Sequence, residues 1–362
     1  MQHPKKRLAK MDRLERVLVA DIAAMAKALD APARGRKPAK LSRKWRAIEV
    51  SHSALRTLVK DILNETSDPR IVSPGGRRAI RDLNSAAKTL KNQMRDWAQI
   101  NRLVELQIHP ASVDLFADTV PTAPPSDVMG HVSALFIDAL HTVANPKADT
   151  QSADAQDAGL HRDIALPISQ FSAMLGAAYR ICLAQRKTHA LRFLDVGCGG
   201  GTKVLAATTC FETCDGLEYE EGTVALGTKL LDILGADRCR LIHGDAFTFS
   251  DYASYDTLYF YRPMKSTEDM IALEARVLDQ AEPGTVLMVP GGLLTPDLEG
   301  AGVQHVSGHI YVTGISQPEA ETLHDAARVI GTSIPGHAQD VSSEPGIWEP
   351  LLDVCARNGY RI

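Results

Sequence analysis

Long apolar runs are absent from this 362-residue chain. No stretch reaches the ~20 consecutive apolar residues that a bilayer-spanning helix needs. The opening residues, with Lys5, Lys6 and Arg7, lack the apolar centre of an export signal. A cytoplasmic location with no membrane partner is therefore expected. The six cysteines, at 182, 198, 210, 214, 239 and 355, form no Cys-x-x-Cys pair and no His/Cys cluster of zinc spacing. That excludes the usual structural zinc patterns and suits a reducing compartment, so no metal is expected. No internal repeat is present either.

What is present is enough apolar residue, 44%, for a substantial core, and enough length for two domains. The formal net charge of −4 conceals a division. Residues 1–110 hold 24 Lys+Arg against 11 Asp+Glu, a net of +13, and residues 111–362 carry a net of −17. The split predicts a basic module, residues 1–110, joined through a connector with one helix, 111–162, to an acidic domain, 163–362. The basic part would face a polyanion or the acidic part.

Within the acidic part, apolar residues Leu191, Phe193, Leu194 and Val196 run into Gly197-Cys198-Gly199-Gly200-Gly201, and a helical segment follows from Thr202 to Thr209. Strand, tight turn and helix N-terminus form the junction where α/β proteins hold nucleoside-bearing ligands. The dinucleotide fingerprint would need glycine at 202, which is Thr. A second short run ends in Glu218, 17 residues after Gly201, and a third, Arg240 to Ile242, leads to His243-Gly244-Asp245-Ala246. A fourth run spans Tyr255 to Tyr261 and a fifth Thr285 to Pro290. Strands alternating with helical patterns at this spacing predict an α/β fold, a doubly wound and mostly parallel sheet. Ile168 to Leu183 reads as the helix before the first strand. His305 to Thr313 reads as one late strand with His305 and His309 on the same face, and helices follow at 319–329 and 348–357.

These motifs, in this order over about residues 163–300, resemble the class I S-adenosylmethionine-dependent methyltransferases. The resemblance implies a Rossmann-like fold and S-adenosylmethionine as cofactor. Gly197, Gly199 and Gly201 would let the backbone approach the methionine part of the cofactor. Asp195 would hold the loop and attract the cationic amino group. Glu218 would take the ribose hydroxyls, and Asp245 the adenine amino group, with the Ala246 amide nearby. For each acid the alternative is a strand-end carboxylate capping the next helix. The helix before the first strand often closes over the cofactor in this superfamily.

The acceptor is less legible. Base-amino methyltransferases of this superfamily end the fourth strand in Asp or Asn, then Pro-Pro and an aromatic. This chain has Tyr261-Arg262-Pro263-Met264 there. No cysteine nucleophile stands at that strand end, and Tyr261 and Arg262 are poor ligands for a catalytic metal. They are instead candidates to position substrate, Tyr261 through its phenol and Arg262 by clamping an anionic acceptor such as a carboxylate or phosphate. The alternative has Tyr259 and Tyr261 packing under a helix with Arg262 in solvent. His305 or His309 could act as a general base near neutral pH, or be an ordinary strand histidine.

In the basic part, apolar residues at 11, 14, 18, 22, 25 and 29 have the spacing of an amphipathic helix. Residues 76–109 repeat it, interrupted at Asn101, and a shorter helix lies at 48–63. Such stripes predict a helical hairpin or small bundle, within one chain or between two copies. Between them, Arg34-Gly35-Arg36-Lys37-Pro38 resembles an AT-hook, with Lys37 inserted, in a run rich in cations and free of acids. Nucleic acid is one candidate partner for that run, and an acidic protein surface is the other. Residues 145–159, small, polar and acidic, read as a linker or mobile loop.

The sequence thus predicts an S-adenosylmethionine-dependent methyltransferase acting on an oxygen or nitrogen acceptor, with a protein or small molecule favoured. The rival is a cofactor-binding but catalytically weak assembly or DNA-binding protein on the same fold.

Overall fold

The computed structural model describes residues 4–31, 35–66, 77–110, 112, 114–115, 128–144, 152–161, 166–187, 189–330 and 346–360. The chain divides into two compact units, Met1–Ala111 with Pro335–Ile362, and Ser112–Ile334. The prolines and glycines at 69–76, Arg34 and most of the 111–125 connector lie outside the described residues.

The first unit is helical: α1 (Pro4–Leu29), α2 (Pro38–Thr66), α3 (Arg77–Gln93), α4 (Trp97–Ile108) and α12 (Glu349–Arg357). The apolar stripe of α1 buries Met11, Leu18, Ile22, Met25 and Leu29, as the spacing predicted. Two expectations are corrected. The long helix at 76–109 breaks at Asp96, which adopts φ +68°, a conformation that ends an L-residue helix. Asn101 is the polar residue on the seam, and its Oδ1 accepts from Trp45 Nε1 at 2.9 Å. And α2 begins ten residues before the expected 48, so Lys40, Arg43, Lys44 and Arg46 ride on a helix whose buried face carries Leu41, Trp45 and Ile48. Arg36, central to the AT-hook resemblance, bonds Ala31 O and Asn358 Oδ1, which holds its guanidinium within the unit.

The last helix belongs here as well, not with the sheet as the expected 163–362 domain had it. Trp348 joins Trp45, Trp97 and His52 in an aromatic cluster, with His52 stacked on Trp97 at 4.1 Å. Burial, with the Arg56 charge, pulls the His52 pKa down to about 4, so this imidazole is neutral at pH 7 and packs as an aromatic. Asn358 donates to Leu29 O and Gln107 Oε1, satisfying acceptors that the unit would otherwise bury unpaired.

The second unit holds helices α5 (Val128–Ala144), α6 (Ala153–Asp157), α7 (Ile168–Ala184), α8 (Thr202–Ala207), α9 (Glu221–Ile233), α10 (Thr267–Gln280) and α11 (Gln317–Arg328). Its strands are β1 (Arg192–Val196), β2 (Thr213–Glu218), β3 (Cys239–His243), β4 (Thr257–Phe260), β5 (Val286–Met288), β6 (Val303–Ser307) and β7 (Ile310–Thr313). They form one sheet in the order β3-β2-β1-β4-β5-β7-β6. The first five are parallel, and β7 runs antiparallel to both neighbours. The central strands read as continuous apolar runs because helices cover both faces; β4 is buried at every position.

The expected single strand at 305–313 is a hairpin. Ser307 pairs with Ile310, and Gly308 (φ +55°) with His309 makes the two-residue turn. The helix α7 is buried along most of its length against the sheet core, which fixes it in place. Of residues 145–159, expected to be a linker or mobile loop, 145–151 lie outside the described residues and 152–159 hold a short helix, followed by an antiparallel bridge from Leu160 to Met264.

Candidate functional site

The sheet order places a switch point between β1 and β4, since the chain steps outward through β2 and β3 before returning to the other side of β1. Doubly wound sheets bind ligands outside the strand ends at such a point. Two of the sequence features meet there, the glycine turn after β1 and the Tyr261-Arg262-Pro263 segment after β4.

The turn carries three glycines with φ of +82° (Gly197), +53° (Gly199) and +79° (Gly201), a run that side chains of L-residues resist. Leu217 O accepts from the Gly197 and Cys198 amides at 2.8 and 3.1 Å, and Gly201 N donates to Cys198 O. A Cβ on Gly197 would stand 3.1 Å from Pro263 Cβ, and one on Gly201 2.8 Å from Leu241 Cδ2. The left-handed backbone thus favours glycine here independently of any ligand, and at Gly197 the close approach of Pro263 adds to that preference.

Glu218 ends β2 beside this turn. Its Oε2 accepts from Gly199 N at 2.8 Å and its Oε1 from Glu220 N at 2.9 Å. Burial raises its pKa, opposed by those amide hydrogen bonds. The Tyr219 amide acts on the same carboxylate, and with about four acceptor sites the group keeps capacity for a further donor. Asp245, after β3, uses Oδ1 to accept from Phe247 N at 2.9 Å. That is the capping alternative for one oxygen, with acceptor capacity remaining on the half-buried carboxylate. Ala246 follows, and its carbonyl accepts from Tyr252 Oη at 2.8 Å. Asp195 is 2% exposed within β1, beneath the turn.

Residues 152–161, unmarked as functional in the sequence, span this edge. Ser152 donates through N and Oγ to Glu220 Oε1 at 2.9 and 2.8 Å. At the other end His161 N donates to Pro263 O, and Lys265 N to Gly159 O, both at 2.9 Å. The anchors are past β2 and past β4, and β1 with its glycine turn lies between those strands.

Past the end of β4 a cavity of about 230 Å³ is lined by Leu166, Gln170, Met174, Tyr261, Arg262, Pro290, Gly291 and His309. Tyr261 and Arg262 are thus brought together, with His309 beside them. His305 is not; it is exposed, bonds Gly308 O through Nε2 at 2.8 Å and packs edge-on to Tyr311. Tyr259 is a core residue, 5.0 Å from Phe171 ring to ring, Tyr261 is half-buried against the same core and Arg262 is exposed, so the packing alternative describes all three as well. Gln170, Met174, Pro290 and Gly291 escaped the sequence reading, although Gln170 and Met174, four apart, already mark one face of α7.

Arg262 adopts φ +46°, uncommon for a residue with a long side chain. Left-handed backbone costs about 1–2 kcal/mol at a non-glycine residue, against about 0.5–1 kcal/mol of chain entropy lost by glycine. Arg262→Gly is therefore expected to raise Tm by roughly 1–3 °C in thermal denaturation. A fall in Tm would mean that the side chain supports the fold.

No family model matches the chain, and no curated protein does. Solved structures match over part of it. An RNA methyltransferase from Salinibacter ruber, in complex with S-adenosyl-L-homocysteine, is 19% identical over 41% of this chain and 91% of its own, with a TM-score of 0.31. CalS10, an amino pentose methyltransferase from Micromonospora echinaspora with S-adenosylmethionine bound, is 23% identical over 36% and 58%, with a TM-score of 0.27. A Thiobacillus denitrificans S-adenosylmethionine-dependent methyltransferase is 19% identical over 37% and 52%, with a TM-score of 0.28. The chain spans little more than half the length of the last two. The first two are named for different acceptors, RNA and an amino pentose, and those activities are theirs. The fold of Ser112–Ile334 rests on its own sheet order: a doubly wound, Rossmann-like sheet, parallel through its first five strands, with the glycine turn at its switch point.

Proposed function

We propose that the chain is an S-adenosylmethionine-dependent methyltransferase whose acceptor enters beside Tyr261 and Arg262. The observation that carries this reading is the alignment of three features at successive strand ends: the glycine turn after β1, Glu218 ending β2 and Asp245 after β3. The residues fit the cofactor. The turn presents backbone with no side chain, Glu218 retains acceptor sites for ribose hydroxyls, and Asp245 retains them for the adenine amino group. Asp195 supplies negative charge for the cationic amino group.

Bound there, S-adenosylmethionine would supply an electrophilic methyl group to an oxygen or nitrogen nucleophile, with a neutral thioether as leaving group. The chain's own part is orientation and exclusion of water. Tyr261 and Gln170 offer hydrogen-bonding groups that orient the acceptor, Arg262 offers charge, and Leu166, Met174 and Pro290 offer apolar walls. His309 lines the same cavity and is the candidate to take the proton of an acceptor that arrives protonated. The segment 152–161 shields the edge above the turn.

Calorimetric titration of the full chain with S-adenosylmethionine and S-adenosylhomocysteine tests the reading. Saturable binding of both, near one per chain, is expected, and binding of neither overturns it. For the helical unit, the engagement of Arg36 by Ala31 and Asn358 weighs against an AT-hook mode.

A further inference from the structure

We infer that the cavity lined by Tyr261 and Arg262 is built for a small organic oxyanion, an acceptor carrying a carboxylate or phosphate group on an apolar body. The inference takes this cavity as the acceptor side of the proposed methyltransferase site.

Charge comes first. Of the described residues lining the cavity, the ionisable ones are Tyr261, Arg262 and His309; no carboxylate is among them. The surroundings are cationic too. Burial, with the charges of Lys265 and Arg262, lowers the pKa of His161, and the His161 backbone is tied to Pro263, the residue after Arg262. This cationic corner lies in a stretch, residues 111–362, whose net charge is −17. Among the described lining residues an ammonium group would meet no carboxylate, whereas an oxyanion would meet a guanidinium able to donate two parallel hydrogen bonds.

Backbone geometry points the same way. Arg262 holds its left-handed φ at the first turn beyond β4, and its guanidinium lies against Gly291, where a Cβ would stand 3.5 Å from Nη2. Strain of this kind persists where the surroundings over-determine it, often at ligand clamps. A glycine would satisfy the backbone at position 262 more cheaply; what it would lack is the guanidinium.

Size and lining complete the description. At about 230 Å³ the cavity lies below the usual ~300–1,000 Å³ of pockets for drug-sized ligands, so it suits a small molecule. Leu166, Met174 and Pro290 are suited to an apolar body, and Gln170 and Tyr261 to a further polar group on it.

The test uses four probes of one shape, benzoate, phenyl phosphate, benzyl alcohol and benzylamine. They are titrated by ligand-observed NMR into the full chain, with and without saturating S-adenosylhomocysteine, for wild type, Arg262→Gln and Arg262→Lys. At least one anion is expected to bind about tenfold or more tightly than benzyl alcohol and benzylamine. Arg262→Gln should remove that preference, Arg262→Lys should restore part of it, and S-adenosylhomocysteine affinity should stay unchanged in both. Benzoate ahead of phenyl phosphate identifies a carboxylate acceptor, and the reverse order a phosphate. Equal binding of all four probes, an anion preference that survives Arg262→Gln, or binding of neither anion overturns the inference. Failure of S-adenosylhomocysteine to bind while the Arg262-dependent anion preference remains would overturn the methyltransferase reading and leave the oxyanion site standing.

Discussion

Replacing Glu218 with alanine is expected to weaken S-adenosylhomocysteine binding at least about 100-fold, because each hydrogen bond from a ribose hydroxyl to a buried carboxylate is worth about 1.5–3 kcal/mol. The same carboxylate also accepts the Gly199 amide, so its loss frees the glycine turn from one of its anchors. Titration calorimetry of wild type and variant measures the effect, and an affinity within threefold of wild type, a difference of about 0.6 kcal/mol, would remove Glu218 from the site. Acidity gives a second readout. Burial raises the Glu218 pKa above the ordinary glutamate value. The ribose hydroxyls need the ionised form, so affinity should be full above that raised pKa and decline as pH falls through it, earlier than for an exposed glutamate. Glu218→Gln should flatten this part of the profile. The stability linkage has the opposite sense: with the folded pKa above the unfolded one, the stability contributed by Glu218 is present below the unfolded pKa and lost as pH rises through the folded one.

Gly227→Ala should damage the site from outside it. Gly227 lies on α9, and a Cβ there would stand 2.8 Å from Gly200 O and 2.5 Å from Leu241 Cδ1. The leucine tip can rotate away; the Gly200 carbonyl belongs to the turn and cannot move alone. Alanine gains about 1 kcal/mol in helix propensity over glycine, but overpacking against backbone costs about 1–3 kcal/mol, so the clash wins. A fall in Tm of a few degrees is expected, with a loss of S-adenosylhomocysteine affinity of about tenfold or more as the turn is displaced. Gly222→Ala on the same helix is the control, since a Cβ there meets nothing within 4 Å, and it should leave both quantities unharmed. If Gly227→Ala raised Tm and kept full affinity, the close approach of α9 to the turn would not exist in solution.

Gly227 shows why part of the site was hidden. Its neighbour Gly200 is nearby in space but 27 residues away in sequence, and nothing in the local pattern of α9 marks the contact. The glycine turn itself was legible because its requirement is local: three left-handed residues in five, directly after a buried strand, leave few alternatives to glycine. Glu218 and Asp245 were legible for a related reason, each ending a short apolar run at parallel-strand spacing. The hairpin at 303–313 was missed because period-two alternation continues on either side of Gly308-His309, and only the positive φ of Gly308 reverses the chain. The break at Asp96 was missed for want of a proline or glycine to announce it.

By itself, then, the sequence determined the parallel half of the sheet, the glycine turn with its strand-end acids, and the amphipathic helices of the basic part. Each of these follows from periodicity or backbone conformation within a few residues. Tertiary structure alone decided that Trp348 and Asn358 complete the helical unit, that residues 152–161 anchor past both β2 and β4, and that Arg262 shares a cavity with His309 while His305 does not. Those outcomes depend on contacts between distant segments, where packing volume and the pairing of buried polar groups select the partner. Neither quantity has a local sequence signature.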